Sequence, residues 1–73
     1  KRHELKDAPE DWNFYWRGMC KYVMKDYENA LPDFNKALEL KEDEGNFYWR
    51  GKCKYEMKDY KNAIDDFNTS RDA

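Results

Sequence analysis

Histidine occurs once, as His3, cysteine twice, as Cys20 and Cys53, glycine three times and proline twice. Each scarcity removes a class of chemistry. One histidine and two well-separated cysteines offer no ligand set at metal-binding spacing. Gly18, Gly45 and Gly51 are dispersed, so no glycine-rich loop is available to cradle a phosphate. A nucleophile–base–orienter set needs a histidine placed among partners, and His3 sits near a terminus. The chain is therefore expected to be no enzyme and to carry no cofactor. No apolar run approaches the ~20 residues that span a bilayer, and no secretory signal is recognisable, so no membrane partner is expected. Charge of one sign is also lacking: 14 basic against 16 acidic residues leave a net charge of −2, without an overall pull toward nucleic acid or anionic lipid. The chain opens on Lys1 rather than methionine, which fits either a removed signal or a segment cut from a longer protein.

What is present is aromatic, charged and repetitive. Aromatics make up 18% of the 73 residues and charged residues 41%. A domain of this size buries only about 60% of its unfolded surface. Aromatic side chains, at roughly 150–250 Å² each, offset that handicap. Residues 13–37 return almost unchanged as residues 46–70: Asn13-Phe14-Tyr15-Trp16-Arg17-Gly18 recurs as Asn46-Phe47-Tyr48-Trp49-Arg50-Gly51, at an offset of 33. The two copies differ only at 19/52, 23/56, 28/61, 31/64, 32/65, 36/69 and 37/70. A period of 20–50 residues marks a stacked-repeat architecture, whose function resides in an extended surface.

Each copy reads as two helices. Phe14, Gly18 and Tyr22, like Phe47, Gly51 and Tyr55, recur at i, i+4, i+8, predicting first helices over about 9–24 and 46–57. Pro9 suits a first-turn position, and Glu10 and Asp11 suit a helix N-terminus. A helical glycine costs about 0.8–1 kcal/mol against alanine, so its repetition implies close approach of another helix. Lys25-Asp26 and Lys58-Asp59 form turns, with each aspartate capping a second helix, at about 27–41 and 60–71. Pro32 falls inside the first of these and is expected as a tolerated kink. Residues 41–45 form a polar connector. Domain boundaries follow: 1–8 as the tail of a preceding helix or a linker, 9–43 as the first unit, and 44–73 as the second, which loses apolar residues at its end and reads as ended or truncated there. Cys20 and Cys53 are repeat-equivalent. Stacked helices stand 8–10 Å apart, beyond disulfide reach, so both are expected as reduced core residues in a cytoplasmic setting.

These residues resemble the tetratricopeptide repeat, a helix–turn–helix unit of ~34 residues with a W-x2-L-G-x2-Y…A-x3-F…P pattern. The matching string is Phe14-x2-Arg17-Gly18, Tyr22 and Ala30-x3-Phe34, and again Phe47-x2-Arg50-Gly51, Tyr55 and Ala63-x3-Phe67. Arg17 and Arg50 stand for the usual leucine, Lys25 and Lys58 for a common glycine, and Glu42 for the closing proline. The resemblance implies an all-α fold, a right-handed α–α superhelix with a concave groove lined by first helices, acting as a non-catalytic protein-interaction scaffold. Other helical-hairpin repeats and a three- or four-helix bundle fit the same periodicity.

On this reading the groove stripe comprises Trp12, Tyr15, Trp16, Met19, Tyr48, Trp49 and Lys52, with Lys52 as a polar anchor for a protein or peptide partner. Two of the differing pairs, 19/52 and 23/56, fall on this stripe, where a ligand rather than packing would set the residue. Some members of the family hold a peptide's C-terminal carboxylate with paired lysine and asparagine. Tyr15, Met19, Tyr48 and Trp49 occupy those sites here, so that clamp is absent. The alternative is self-association: the bare end faces of the array would pair with another copy or with flanking repeats. Arg17, Lys21, Arg50 and Lys54 form basic i, i+4 pairs beside aromatics, but Glu28, Asp33, Asp65 and Asp66 balance them, so no nucleic-acid partner is expected.

Overall fold

A computed structural model describes residues 10–72 as four helices: α1 (Glu10–Val23), α2 (Tyr27–Leu40), α3 (Glu44–Glu56) and α4 (Tyr60–Asp72). The expectations for Pro9, His3 and the 1–8 tail lie outside these residues. Among the described residues there is no strand. Helices α1 and α2 pack closely as one hairpin and α3 and α4 as another. The hairpins join chiefly through α2 against α3, while α1 touches α3 only lightly.

Both hairpin turns follow one rule. Asp26 N–H donates to Lys21 O at 2.8 Å and Lys25 N–H to Tyr22 O at 2.9 Å; Asp59 and Lys58 repeat this on Lys54 and Tyr55 at 2.8 and 3.0 Å. This paired pattern closes a helix C-terminus on a left-handed residue, a place where glycine is strain-free. Here it is lysine, at φ 66° for Lys25 and 69° for Lys58.

Three local expectations need correction. Asp26 and Asp59 stand at the capping positions, but Asp26 makes no side-chain bond to the helix backbone. Its carboxylate instead accepts from the Asn29 side-chain amide at 3.0 Å, and Asp59 accepts from Asn62 at 2.9–3.1 Å. The amide three residues on occupies the carboxylate that the backbone N–H groups would otherwise engage. Helix α3 begins at Glu44 rather than 46, because Asp43 O accepts from Asn46 and Phe47 N–H and starts the ladder there. Gly45 therefore belongs to the helix, and the connector shrinks to residues 41–43. Helix α2 runs unbroken through the exposed Pro32.

The repeated glycines have the packing reason expected of them. A Cβ on Gly18 would stand 2.9 Å from Cε1 and Cζ of Phe34, and one on Gly51 2.9 Å from Cε1 of Phe67. Phe34 is fully buried with Ala30 and Cys53, and Tyr15, Met19, Tyr22, Leu31 and Trp49 pack half-buried around them. The core thus straddles the seam between hairpins. Cys53 is buried as expected, but Cys20 is exposed. The two share a sequence context and differ only in neighbour: α2 covers Cys53, whereas no described helix covers the same face of α1. Phe14 is half-buried, and so is its equivalent Phe47.

Candidate interaction surface

Two basic residues on one carboxylate bridge the helices of each hairpin, and they set what surface is left over. Arg50 grips Asp66 through Nε at 2.9 Å and Nη2 at 2.8 Å, with Lys54 Nζ at 3.0 Å. Its remaining nitrogen, Nη1, donates to Asn35 of the first hairpin at 3.0 Å. Desolvation works to raise the Asp66 pKa, but the hydrogen bonds and charges of Arg50 and Lys54 outweigh it and hold the carboxyl below its ordinary 3.8. The first hairpin has a looser copy. Lys21 stands 3.0 Å from Asp33, but Arg17 is 3.5 Å away and exposed. Asp33 Oδ2 is buried without an aligned hydrogen bond despite the nearby ammonium. The basic pairs are thereby turned onto Asp33 and Asp66, which do the balancing expected of the acidic residues.

The aromatic residues divide into two groups. Trp12, Tyr15 and Trp16 cluster at the start of α1, with ring centroids 5.1–6.3 Å apart. They form one wall of a cleft of about 360 Å³, closed on the other side by Lys41, Asp43, Gly45 and Asn46. Trp12 is 49% exposed, well beyond what folding requires of it. The second group surrounds Lys52, whose Nζ lies 5.3 Å from the Trp49 ring, 5.8 Å from Tyr22 and 5.9 Å from Tyr48. This is a three-sided cation–π cage.

The predicted site residues therefore do not form one uniform stripe. Trp12, Tyr15 and Trp16 come together around the cleft. Tyr48, Trp49 and Lys52 come together in the cage, so the Lys52 ammonium is engaged by aromatic faces rather than presented as an open anchor. Met19 packs half-buried against the core, and Trp49 stacks edge-on against Tyr22 across the seam at 5.4 Å. Lys41, Asp43 and Asn46 were missed. The signal for them was the short connector, which delivers α3's start beside α1's start.

Among the described residues no cluster of three or more His, Cys, Asp or Glu side chains could hold a metal, and no helix is long and apolar enough to cross a membrane. Two family models, both described as tetratricopeptide repeat, match residues 14–44 and 46–71. No curated protein matches the chain.

Proposed function

Because this chain belongs to the tetratricopeptide repeat family, whose repeats generally mediate protein–protein interaction, we propose that it binds a peptide or extended protein segment along the face of α1 and α3. The observation that carries this reading is the cleft walled by Trp12, Tyr15 and Trp16. Exposed tryptophan and tyrosine beside a concavity are the composition of a binding hot spot. Tyr48, 42% exposed, extends the aromatic floor onto α3, and Lys41 and Asp43 place both signs of charge at the cleft rim. The proposed role is a non-catalytic scaffold, as is typical of the family.

The test is selection of a random peptide library on the chain. Selected peptides are then titrated while the indole N–H resonances of Trp12, Trp16 and Trp49 are followed. Binding should move Trp12 and Trp16 most, and Trp12→Ala should lose at least tenfold in affinity with helicity unchanged. Peptides that bind Trp12→Ala as well as the parent chain would place the site elsewhere.

A second reading, self-association through bare repeat faces, is favoured by a different observation. Trp16 and Cys20 are exposed on α1, whereas their equivalents Trp49 and Cys53 are half-buried and buried against the first hairpin.

A further inference from the structure

Resting on that second reading, we infer that copies of this chain stack head to tail, with α4 of one copy docking on α1 of the next. The internal seam is the template. There, Trp49 of α3 packs on Tyr22 of α1, and α3 meets α2 through Arg50 Nη1 on Asn35 Oδ1 at 3.0 Å and Cys53 against Ala30 and Phe34. Each of these groups recurs on the two ends of the molecule. On the open face of α1, Trp16, Arg17 and Cys20 stand where Trp49, Arg50 and Cys53 stand on α3. On the open face of α4, Ile64, Phe67 and Asn68 stand where Leu31, Phe34 and Asn35 stand on α2, with Tyr55 in the place of Tyr22.

Among the described residues no helix covers either face. Trp16 is 52% exposed, Tyr55 53% and Ile64 57%. A shallow groove runs along α1, lined by Asn13, Trp16, Cys20 and Met24 among others; Trp16 and Cys20 in it are the equivalents of Trp49 and Cys53 at the internal seam. Arg17 keeps one long contact to Asp33, while Arg50 makes three close ones, the third of them across the seam. Asn68 of a second copy offers Arg17 that same third contact. The copy–copy seam is weaker than the internal one. Arg71 replaces Leu38, near Arg17, and Val23 replaces Glu56, so the Tyr22–Glu56 hydroxyl bond has no counterpart. The two faces are different surfaces, so the contact is heterologous and leaves a free face at each end of a dimer for further copies.

The prediction is read by sedimentation velocity in reducing buffer across a concentration series. The parent chain should grow in mass with concentration through dimer and beyond. Cys20→Arg blocks the α1 face and Ile64→Lys the α4 face; both positions are exposed, and circular dichroism checks folding. Each variant alone should remain monomeric, and their equimolar mixture should stop at a one-to-one dimer. As a readout free of substitutions, labelling of the Cys20 thiol in the parent chain should slow as concentration rises. A parent chain that stays monomeric, with Cys20 equally reactive at all concentrations, overturns both the stack and the self-association reading. A parent that assembles while each variant alone still dimerises overturns the head-to-tail geometry only.

Discussion

Substituting Gly18 by alanine sets two opposed terms against each other, and the structure decides the sign. In an unobstructed helix the change should stabilise by about 0.8–1 kcal/mol, since alanine loses less backbone freedom. Here the new methyl carbon would stand 2.9 Å from two ring atoms of Phe34 and 3.1 Å from a third. Those distances are well inside van der Waals contact, so the ring or the helix must move. Phe34 is fully buried and walled by Cys53 of the second hairpin, which blocks retreat. Overpacking of this kind costs about 1–3 kcal/mol. The expected net is a loss of up to about 2 kcal/mol, or up to roughly 15 °C in Tm for a domain this small. Gly51→Ala meets Phe67 at the same 2.9 Å and Asp66 Cβ at 3.1 Å, but Phe67 is only half-buried and faces the open end. It should lose less. Thermal and urea melts followed by far-ultraviolet circular dichroism measure both. A Gly18→Ala variant more stable than the parent, or a Gly51→Ala variant losing more than Gly18→Ala, would refute the claim that the seam pins Phe34.

The turns, the ion clusters and the groove give further expectations. Lys25→Gly and Lys58→Gly should each stabilise by about 1 kcal/mol, because a left-handed residue with a Cβ carries roughly that strain; a lower melting temperature in either would contradict the turn geometry. Asp66→Asn should cost about 3 kcal/mol by leaving Arg50 and Lys54 without their counter-charge, and Asp33→Asn should cost less, since Arg17 is exposed. Because the folded Asp66 pKa lies below 3.8, its stabilising contribution is complete above that value and is lost as pH falls through the folded one. The acid limb of a stability–pH curve should therefore be shallower in Asp66→Asn, and an unchanged limb counts against the cluster. In the cage, Lys52→Met should leave the fold intact at a cost of about 0.5–1 kcal/mol; a loss beyond ~2 kcal/mol would show that Lys52 carries more than cation–π contacts.

The repeat, the four helices and the glycine contacts were legible because they depend on local periodicity and on residues that recur. What the sequence could not display was asymmetry of neighbourhood. Cys20 and Cys53 sit in almost identical strings, yet one is exposed and the other buried, because burial is conferred by α2 from the adjoining hairpin. The same holds for Trp16 and Trp49, which the stripe pattern treats alike. The start of α3 was misplaced because Gly45 reads as a breaker, while Asp43 O supplies the bonds that begin the helix before it. Lys52 was legible as the odd residue at a repeat-equivalent position. Its aromatic cage was not, because Tyr22 reaches it from the other hairpin.

Counting reactive thiols in the native, dilute chain tests the seam most directly. Cys53 is buried between hairpins, and desolvation together with the Glu56 charge pushes its pKa up to about 12, so it holds almost no thiolate. Cys20, exposed on α1, should be modified in the native chain, and Cys53 only after denaturant is added. Modification of both at similar rates under native conditions would mean that α3 does not dock on α2, and the stacked-hairpin account would fail.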